Sequence, residues 1–574
     1  ATTAQQTLII NAGVTVKKLT VKGGNLKIYG KVEQLVHDAG NTTIYIIKGT
    51  EASLPATIDS KFVVQSDVAV LKTAFANGED FKLSADADIT GQSVSVPAGK
   101  SVVLDLNGYT LTADNSATGK IIVLGKMTLK DSSTEKKGKI VASQDYTAAS
   151  YNGSLIEIAG EDASMTMESG NISAVRETPD SNGQYGVGVT DGGDFTMTGG
   201  KIEAGWFAVA GNGNYKTQNS IINITDGELI STADYAVYLP QSGTTTISGG
   251  KVYGAAGGVC IQRGTLNVEG TALITSKGTG STGNWGDGTG GLDCAAINVS
   301  GAYGIATVNI KGGTLIAEAK SLITEGTTYT PVINVTGGTF SDPSVLKYMA
   351  TNATVDIKLL SNINIAKTEL ATGYILNAAN ATANLNLNGH DIINSSETAD
   401  ATPFTQIFTV QNGTLNISGN GNVKCDASAT AKDDGYRMVI EARGYGTVNI
   451  HGGSYYNTQK LNTQIDLIYA RENGKINIYG GTFESGKYGT PNNDTDGRYW
   501  VLNLKNTDKN TASIQVSGGT FINFNPANPN MDDNESYLVT GYEVTRDGSV
   551  YTAAHKVGDG RKEYIVGQTS QENR

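Results

Sequence analysis

Apolar and polar residues alternate along most of the chain in a phrase that keeps returning: polar, apolar, Asn or Thr, apolar, polar, Gly-Gly, polar, apolar. It reads FTMTGGKI at 195–202, INITDGEL at 222–229, TTISGGKV at 245–252 and LNVEGTAL at 266–273. It returns as VNIKGGTL at 308–315, INVTGGTF at 333–340 and LNISGNGNV at 415–423. The last copies are VNIHGGSY at 448–455, INIYGGTF at 476–483 and IQVSGGTF at 514–521. Alternation of this kind predicts a strand with one buried face. In VNIKGGTL, Val308 and Ile310 then point inward while Asn309 and Lys311 point out. Gly312 and Gly313 turn the chain, because glycine takes positive φ without steric cost, and Leu315 reopens the inward row. A second apolar run precedes most copies: YAVYL at 235–239, GGVCI at 257–261, MVIEA at 438–442, LIYA at 467–470 and YWVLNL at 499–504.

Each repeat therefore holds about three short strands, with no space for a helical crossover between them. This is the pattern of a parallel β-helix, a solenoid in which each repeat touches only its neighbours. Its interior carries columns of like residues, such as Phe340, Phe483 and Phe521 at the equivalent site. A β-propeller competes, but its blades need four antiparallel strands and about 40–50 residues, whereas most copies here are roughly 20–35 residues apart.

A larger duplication overlies the small one. DVAVLKTAFANG at 67–78 resembles DPSVLKYMATNA at 342–353, and each predicts a short amphipathic helix. Each leads toward a similar strand, LDLNGYTL at 104–111 and LNLNGHDI at 385–392. The expected organisation is an N-terminal β module or attachment segment at 1–66 and a first β-helix unit with a helical cap at 67–341. A second unit or continuation follows at 342–524, then a C-terminal hairpin cap around Arg546-Asp547-Gly548 and a tail at 525–574. A helix before the first repeat covers strand edges that would otherwise invite pairing with another chain.

Composition narrows the function classes. Of 574 residues, 72 are Gly and 10 are Pro; 39% are hydrophobic and 17% charged, which speaks against a disordered acidic tail or a helical bundle. The net charge of −12 and the lack of any Lys/Arg block give nucleic acid no footing. No apolar run reaches the ~18–20 residues of a membrane helix, and Ala1 opens a polar stretch, ATTAQQT, rather than a signal peptide. Three cysteines are too few for a disulfide scaffold; Cys260 and Cys294 either meet across successive repeats or serve as small packing residues.

The segment SVVLDLNGYTLT and the serial Gly-Gly-Thr-Phe units resemble the pectin-lyase-like right-handed parallel β-helix superfamily over about 67–550. They are most similar to surface and secreted β-helix proteins of gut Bacteroidetes and to β-helix fibres of their phages. The resemblance implies an all-β, right-handed parallel β-helix. It also implies an extracellular or cell-surface location, or alternatively a virion, where a fibre would be trimeric. Superfamily members include polysaccharide lyases, glycosidases, adhesins and proteins without a reaction, so the fold does not choose among them.

The acid and histidine clusters of the superfamily's polygalacturonases have no convincing counterpart. Gly389-His390-Asp391 comes nearest, but Gly108-Tyr109-Thr110 occupies the same place in the first half, which makes His390 a turn residue; His451 falls at an outward polar position. The carboxylate pairs Asp433/Asp434, Asp494/Asp496 and Asp532/Asp533 lie among turn-forming residues. Asn492, Asp494 and Asp496 place oxygen ligands at alternate positions before Gly497, as a calcium loop does, although Asn503 stands where its bidentate Glu belongs. No other cofactor is expected.

Outward faces are more informative. Asn223, Asn267, Asn309, Asn334, Asn416, Asn449 and Asn477 share one position in the repeat, which predicts a ladder of stacked amides. Arg443, Arg471 and Lys505 fall at one point of three successive repeats, with Glu441, Tyr469 and Asn503 beside them and Tyr436, Tyr445, Arg498 and Tyr499 close by. Aromatic faces stack on sugar rings and Arg hydrogen-bonds hydroxyls or carboxylates. This row is thus a candidate site for a polysaccharide or surface glycan, with a protein partner as the other possibility. Trp206 and Trp285 are weaker candidates, the latter in a Gly-rich loop. The reading is a surface-binding protein without catalysis, the alternatives being a phage fibre or decoration protein recognising host glycans, or a polysaccharide lyase or glycoside hydrolase.

Overall fold

The computed structural model describes residues 6–49, 51–114, 119–143, 153–175, 184–213, 217–282, 291–325, 328–365, 373–394, 404–425, 436–457, 465–485, 499–529 and 536–556. The chain is mostly β, with large parallel sheets, and forms two compact units, Ala1–Ser344 and Val345–Arg574.

In the first unit three rows of strands recur. Phrase strands pair in parallel with the copies before and after: Leu266 lies beside Val308, and Val308 beside Ile333. The strand after each glycine turn forms a second row, in which Ile274 neighbours Leu315 and Leu315 neighbours Phe340. The apolar runs that precede the phrase, here named lead strands, form a third parallel row from Val94–Val96 to Lys320–Thr324. Side chains alternate as the sequence requires: Val308, Ile310 and Leu315 are fully buried, while Asn309 is half-buried and Lys311 exposed. Each such aliphatic side chain contributes about 1.5–3 kcal/mol by leaving water. Gly313 makes the turn with φ +79°, a conformation that a side chain would strain.

Segment 6–66 uses the same parallel pairing. Thr7–Ile10, Asn25–Ile28, Ile44–Lys48 and Phe62–Ser66 line up around a core that includes Ile28, Ile44, Ile46 and Phe62. A helix at Val68–Asn77 follows. The Asp67 carboxylate accepts from the amides of Ala69 (3.0 Å) and Val70 (3.3 Å), Gly78 closes the helix in the left-handed region, and Leu71, Ala74 and Phe75 are buried. The second predicted helix, at 342–353, differs: only Pro343–Tyr348 winds, as a 3₁₀ helix. Six residues are too few to offset α-helix nucleation, and a 3₁₀ turn suffices to bury Val345 and Leu346.

In the second unit lead and phrase segments run together as long strands, Phe404–Ser418 and Tyr436–Ile450, before separating again at Ile465–Ala470 and Lys475–Ile478. The row after the glycine turns carries an aromatic stack: Tyr455 on Phe483 and Phe483 on Phe521, each pair with centroids 5.0 Å apart and nearly parallel rings, all fully buried. The hairpin expected near Asp547-Gly548 is formed by Tyr542–Asp547 and Val550–His555, and it pairs antiparallel with Thr520–Ile522. Cys260, Cys294 and Cys425 are buried and not joined in a disulfide, so Cys260 and Cys294 do not bridge successive repeats.

One property of the lead strands directs attention to them. Tyr235–Leu239, Gly257–Ile261 and Ala295–Val299 are buried on both faces, and so are Met438–Ala442. A parallel strand covered on both sides reads as continuously apolar, so any polar side chain there needs partners.

Candidate functional site

The amide ladder forms within each unit, but Asn223 stands apart from it, because its register partner is Thr246, which separates it from Asn267. In the first unit, Asn334 donates to Asn309 and Asn309 to Asn267, both at 3.0 Å. In the second, Asn477 donates to Asn449, Asn449 to Asn416 and Asn416 to Asn384, each at 2.8 Å, and Asn384 donates to the Asp356 carboxylate at 2.9 Å. These amides satisfy one another along the sheet, which is a structural task.

The row past the second-unit lead strands is different. Ala442, Ala470 and Leu504 are register partners on three adjacent parallel strands, and the amides of Arg471 and Lys505 continue the ladder by donating to the carbonyls of Ala442 and Ala470. Arg443, Arg471 and Lys505 are thereby brought to one corner, with side chains 30%, 25% and 44% exposed. Glu441, Tyr469 and Asn503 form the adjoining column. Tyr445 stands past the corner, 76% exposed. Tyr436 begins the first of these strands and Tyr499 the third; their side chains, and Arg498 entirely, lie outside the described residues.

Glu441 is the hub. It is 2% exposed, and its carboxylate accepts from Arg471 Nε at 2.7 Å, with Arg443 Nε at 4.0 Å. Gln406 Nε2 (3.4 Å) and Thr409 Oγ1 (3.5 Å) reach its other oxygen as long contacts. Arg471 also pairs with Glu472 at 2.5 Å, and Lys505 with Asp508 at 3.4 Å. Burial opposes the Arg471 charge, but the hydrogen bond and charge of Glu441, aided by Glu472, outweigh it and hold the guanidinium above its ordinary value. Asp508 is depressed, chiefly because the Glu472 amide donates to it. The Tyr469 phenol is pushed up to about 12, first by burial and then by the charge of Asp466, with Arg471 opposing and Glu441 adding.

Asp466 was not anticipated from the sequence. It is 2% exposed and accepts from Asn503 Nδ2 at 2.8 Å. Gln406, Thr409, Glu472 and Asp508 also complete the cluster without having been singled out. The available signal was a polar residue inside an apolar run, as in IDLIYA at 465–470.

The remaining candidates fall elsewhere. His390 sits in a turn, its amide donating to the Leu387 carbonyl. His451 is exposed and stacks on Tyr479 at 4.7 Å. Trp206 is 4% exposed in an aromatic cluster with Phe207, Tyr235 and Tyr238. Asn492, Asp494 and Asp496 lie outside the described residues, as do Trp285, Asp433, Asp434, Asp532 and Asp533. Among the described residues no group of three or more His, Cys, Asp and Glu could hold a metal ion, and no helix is long and apolar enough to cross a membrane. Comparison of the chain with protein-family models, curated proteins and solved structures finds no match.

Proposed function

We propose that the protein is a right-handed parallel β-helix displayed outside the cell, and that it acts by binding a glycan along the corner past its second-unit lead strands. The winding is supported by the three parallel rows within each unit and by the general right-handedness of parallel crossovers. The observation that carries the function is the alignment of Arg443, Arg471 and Lys505, each the residue after the register partners Ala442, Ala470 and Leu504 of three adjacent strands, beside the exposed ring of Tyr445.

The ion pairs shape the ligand class. Three cations face Glu441, Glu472 and Asp508, so the row is close to neutral. Arg471 spends two of its five N–H donors on carboxylates and keeps three for hydroxyls. A neutral polysaccharide, offering hydroxyls and apolar ring faces, suits this row better than an acidic one. Retention on a glycan array tests the reading. Tyr445→Ala, and separately Arg443, Arg471 and Tyr469 replaced together by Ala, should abolish retention while circular dichroism stays β-rich; unchanged retention removes the site.

The buried carboxylates Glu441 and Asp466, both beside Tyr469, favour a second reading as a polysaccharide hydrolase or lyase. Reducing ends released from neutral or acidic glycans, and lost in Asp466→Asn, would select it over binding alone.

A further inference from the structure

We propose that the pocket beside Arg263, at the corner past lead strands Tyr235–Leu239 and Gly257–Ile261 of the first unit, binds an oxyanion: the sulfate or carboxylate group of a ligand. Arg263 Nε donates to Ser242 Oγ at 2.7 Å and Nη1 to the Tyr303 carbonyl at 3.0 Å. Both acceptors are neutral, and among the described residues no carboxylate pairs with this guanidinium. Three of its five N–H donors remain for a ligand. The side chain is half-buried, and Gly304 gives it room: a Cβ there would lie 2.9 Å from the Arg263 side chain.

Thr245 supplies an independent observation. Its register partners in the phrase row are Ile222 and Leu266, and Leu266 in turn neighbours Val308. In this inward, aliphatic column Thr245 introduces a hydroxyl at 4% exposure, with no hydrogen-bond partner among the described residues. Valine has the same shape and no polar atom to bury, so packing does not account for the threonine. The pocket does, because Thr245 and Arg263 both line it, with Ser220, Gln241, Ser242 and Thr265.

The pocket has space for about one water-sized group and is partly open to solvent. Gln241 is fixed by the Val189 carbonyl (3.0 Å), Ser220 Oγ (2.6 Å) and the Asn212 amide (3.1 Å). Since Ser220 Oγ accepts from Gln241, its own hydrogen is left to donate. Guanidinium and hydroxyl donors thus converge on a small space whose lining contains no carboxylate. That combination accepts one oxygen there while the arginine fork holds the rest of an anionic group. The site is distinct from the second-unit row and does not depend on the glycan reading.

Equilibrium dialysis of the full chain against radiolabelled sulfate tests the inference. One saturable sulfate per chain is expected, weakened at least about tenfold by Arg263→Gln, the loss of a charge-assisted contact. Thr245→Val should weaken it severalfold without lowering the melting temperature, a split that a purely structural threonine would not give. Displacement by acetate assigns a carboxylate ligand; displacement by a sulfated monosaccharide alone assigns a sulfate ester. No saturable binding of sulfate or acetate overturns the proposal, as does binding that both folded variants leave unchanged.

Discussion

Arg471 and Arg263 occupy similar places, each just past a lead strand, and differ in what surrounds the charge. Arg471 meets Glu441 at 2.7 Å and Glu472 at 2.5 Å. Arg263 meets a serine hydroxyl and a carbonyl. Cations that gather in one row of a sequence are therefore not the ones most available to a ligand. The second-unit row neutralises itself, whereas Arg263 in the first unit meets no carboxylate among the described residues, in a protein of net charge −12. The first arrangement stabilises the fold and presents hydrogen-bond donors; the second is poised for an anion.

The largest test separates the two by stability. Glu441→Gln leaves Arg471 and Arg443 half-buried beside a neutral amide, and breaking such a pair should cost about 2–3 kcal/mol, less than a fully buried pair because both arginines reach solvent. Arg263→Gln removes bonds to neutral acceptors only and should cost about 1 kcal/mol or less. Urea unfolding followed by circular dichroism reads both. Equal costs would erase the distinction between the two corners.

A titration sharpens the comparison. Tyr469 is pushed up to about 12, burial acting first and Asp466 next, while Arg471 pulls it down. Its folded value exceeds the unfolded value of about 10, so its contribution to stability is complete below pH 10 and is lost as pH rises toward 12. Ultraviolet difference spectra should show Arg471→Gln moving this tyrosine still higher, with Arg263→Gln leaving it in place. A shift in both variants, or in neither, would mean that Arg471 does not act through Tyr469.

Local rules explain which parts were legible in the sequence. Alternation and Gly-Gly turns place Val308, Ile310 and Leu315 inside and predict the stack of Phe483 on Phe521, because these depend on neighbours along the strand and one repeat away. The same in-register logic brings Arg443, Arg471 and Lys505 together. Availability is not local. Whether a guanidinium is free depends on carboxylates such as Glu472 and Asp508, contributed by turns that the repeat does not constrain. Asp466 and Thr245 were hidden for a related reason: a lone polar residue in an apolar column reads as tolerated variation until its burial and partners are known. The helix expected at 342–353 was overestimated: its likeness to 67–78 includes the capping aspartate, Asp342 for Asp67, but only Pro343–Tyr348 winds, as a 3₁₀ helix.

The smallest effect is expected at the third cation, and it grades the row by burial. Lys505 Nζ lies 3.4 Å from Asp508, with its side chain 44% exposed. Asp508 does not rely on it, since the Glu472 amide donates to the same carboxylate at 2.6 Å and dominates its depressed pKa. Lys505→Gln should therefore cost no more than about 0.5 kcal/mol, as solvent-exposed pairs do. In 1 M NaCl, where the Debye length is about 3 Å, the difference from the parent should vanish, while most of the Glu441→Gln deficit persists because that carboxylate is buried. A Lys505→Gln cost as large as that of Glu441→Gln, and insensitive to salt, would show that the three corners act as one cooperative network rather than as pairs ranked by exposure.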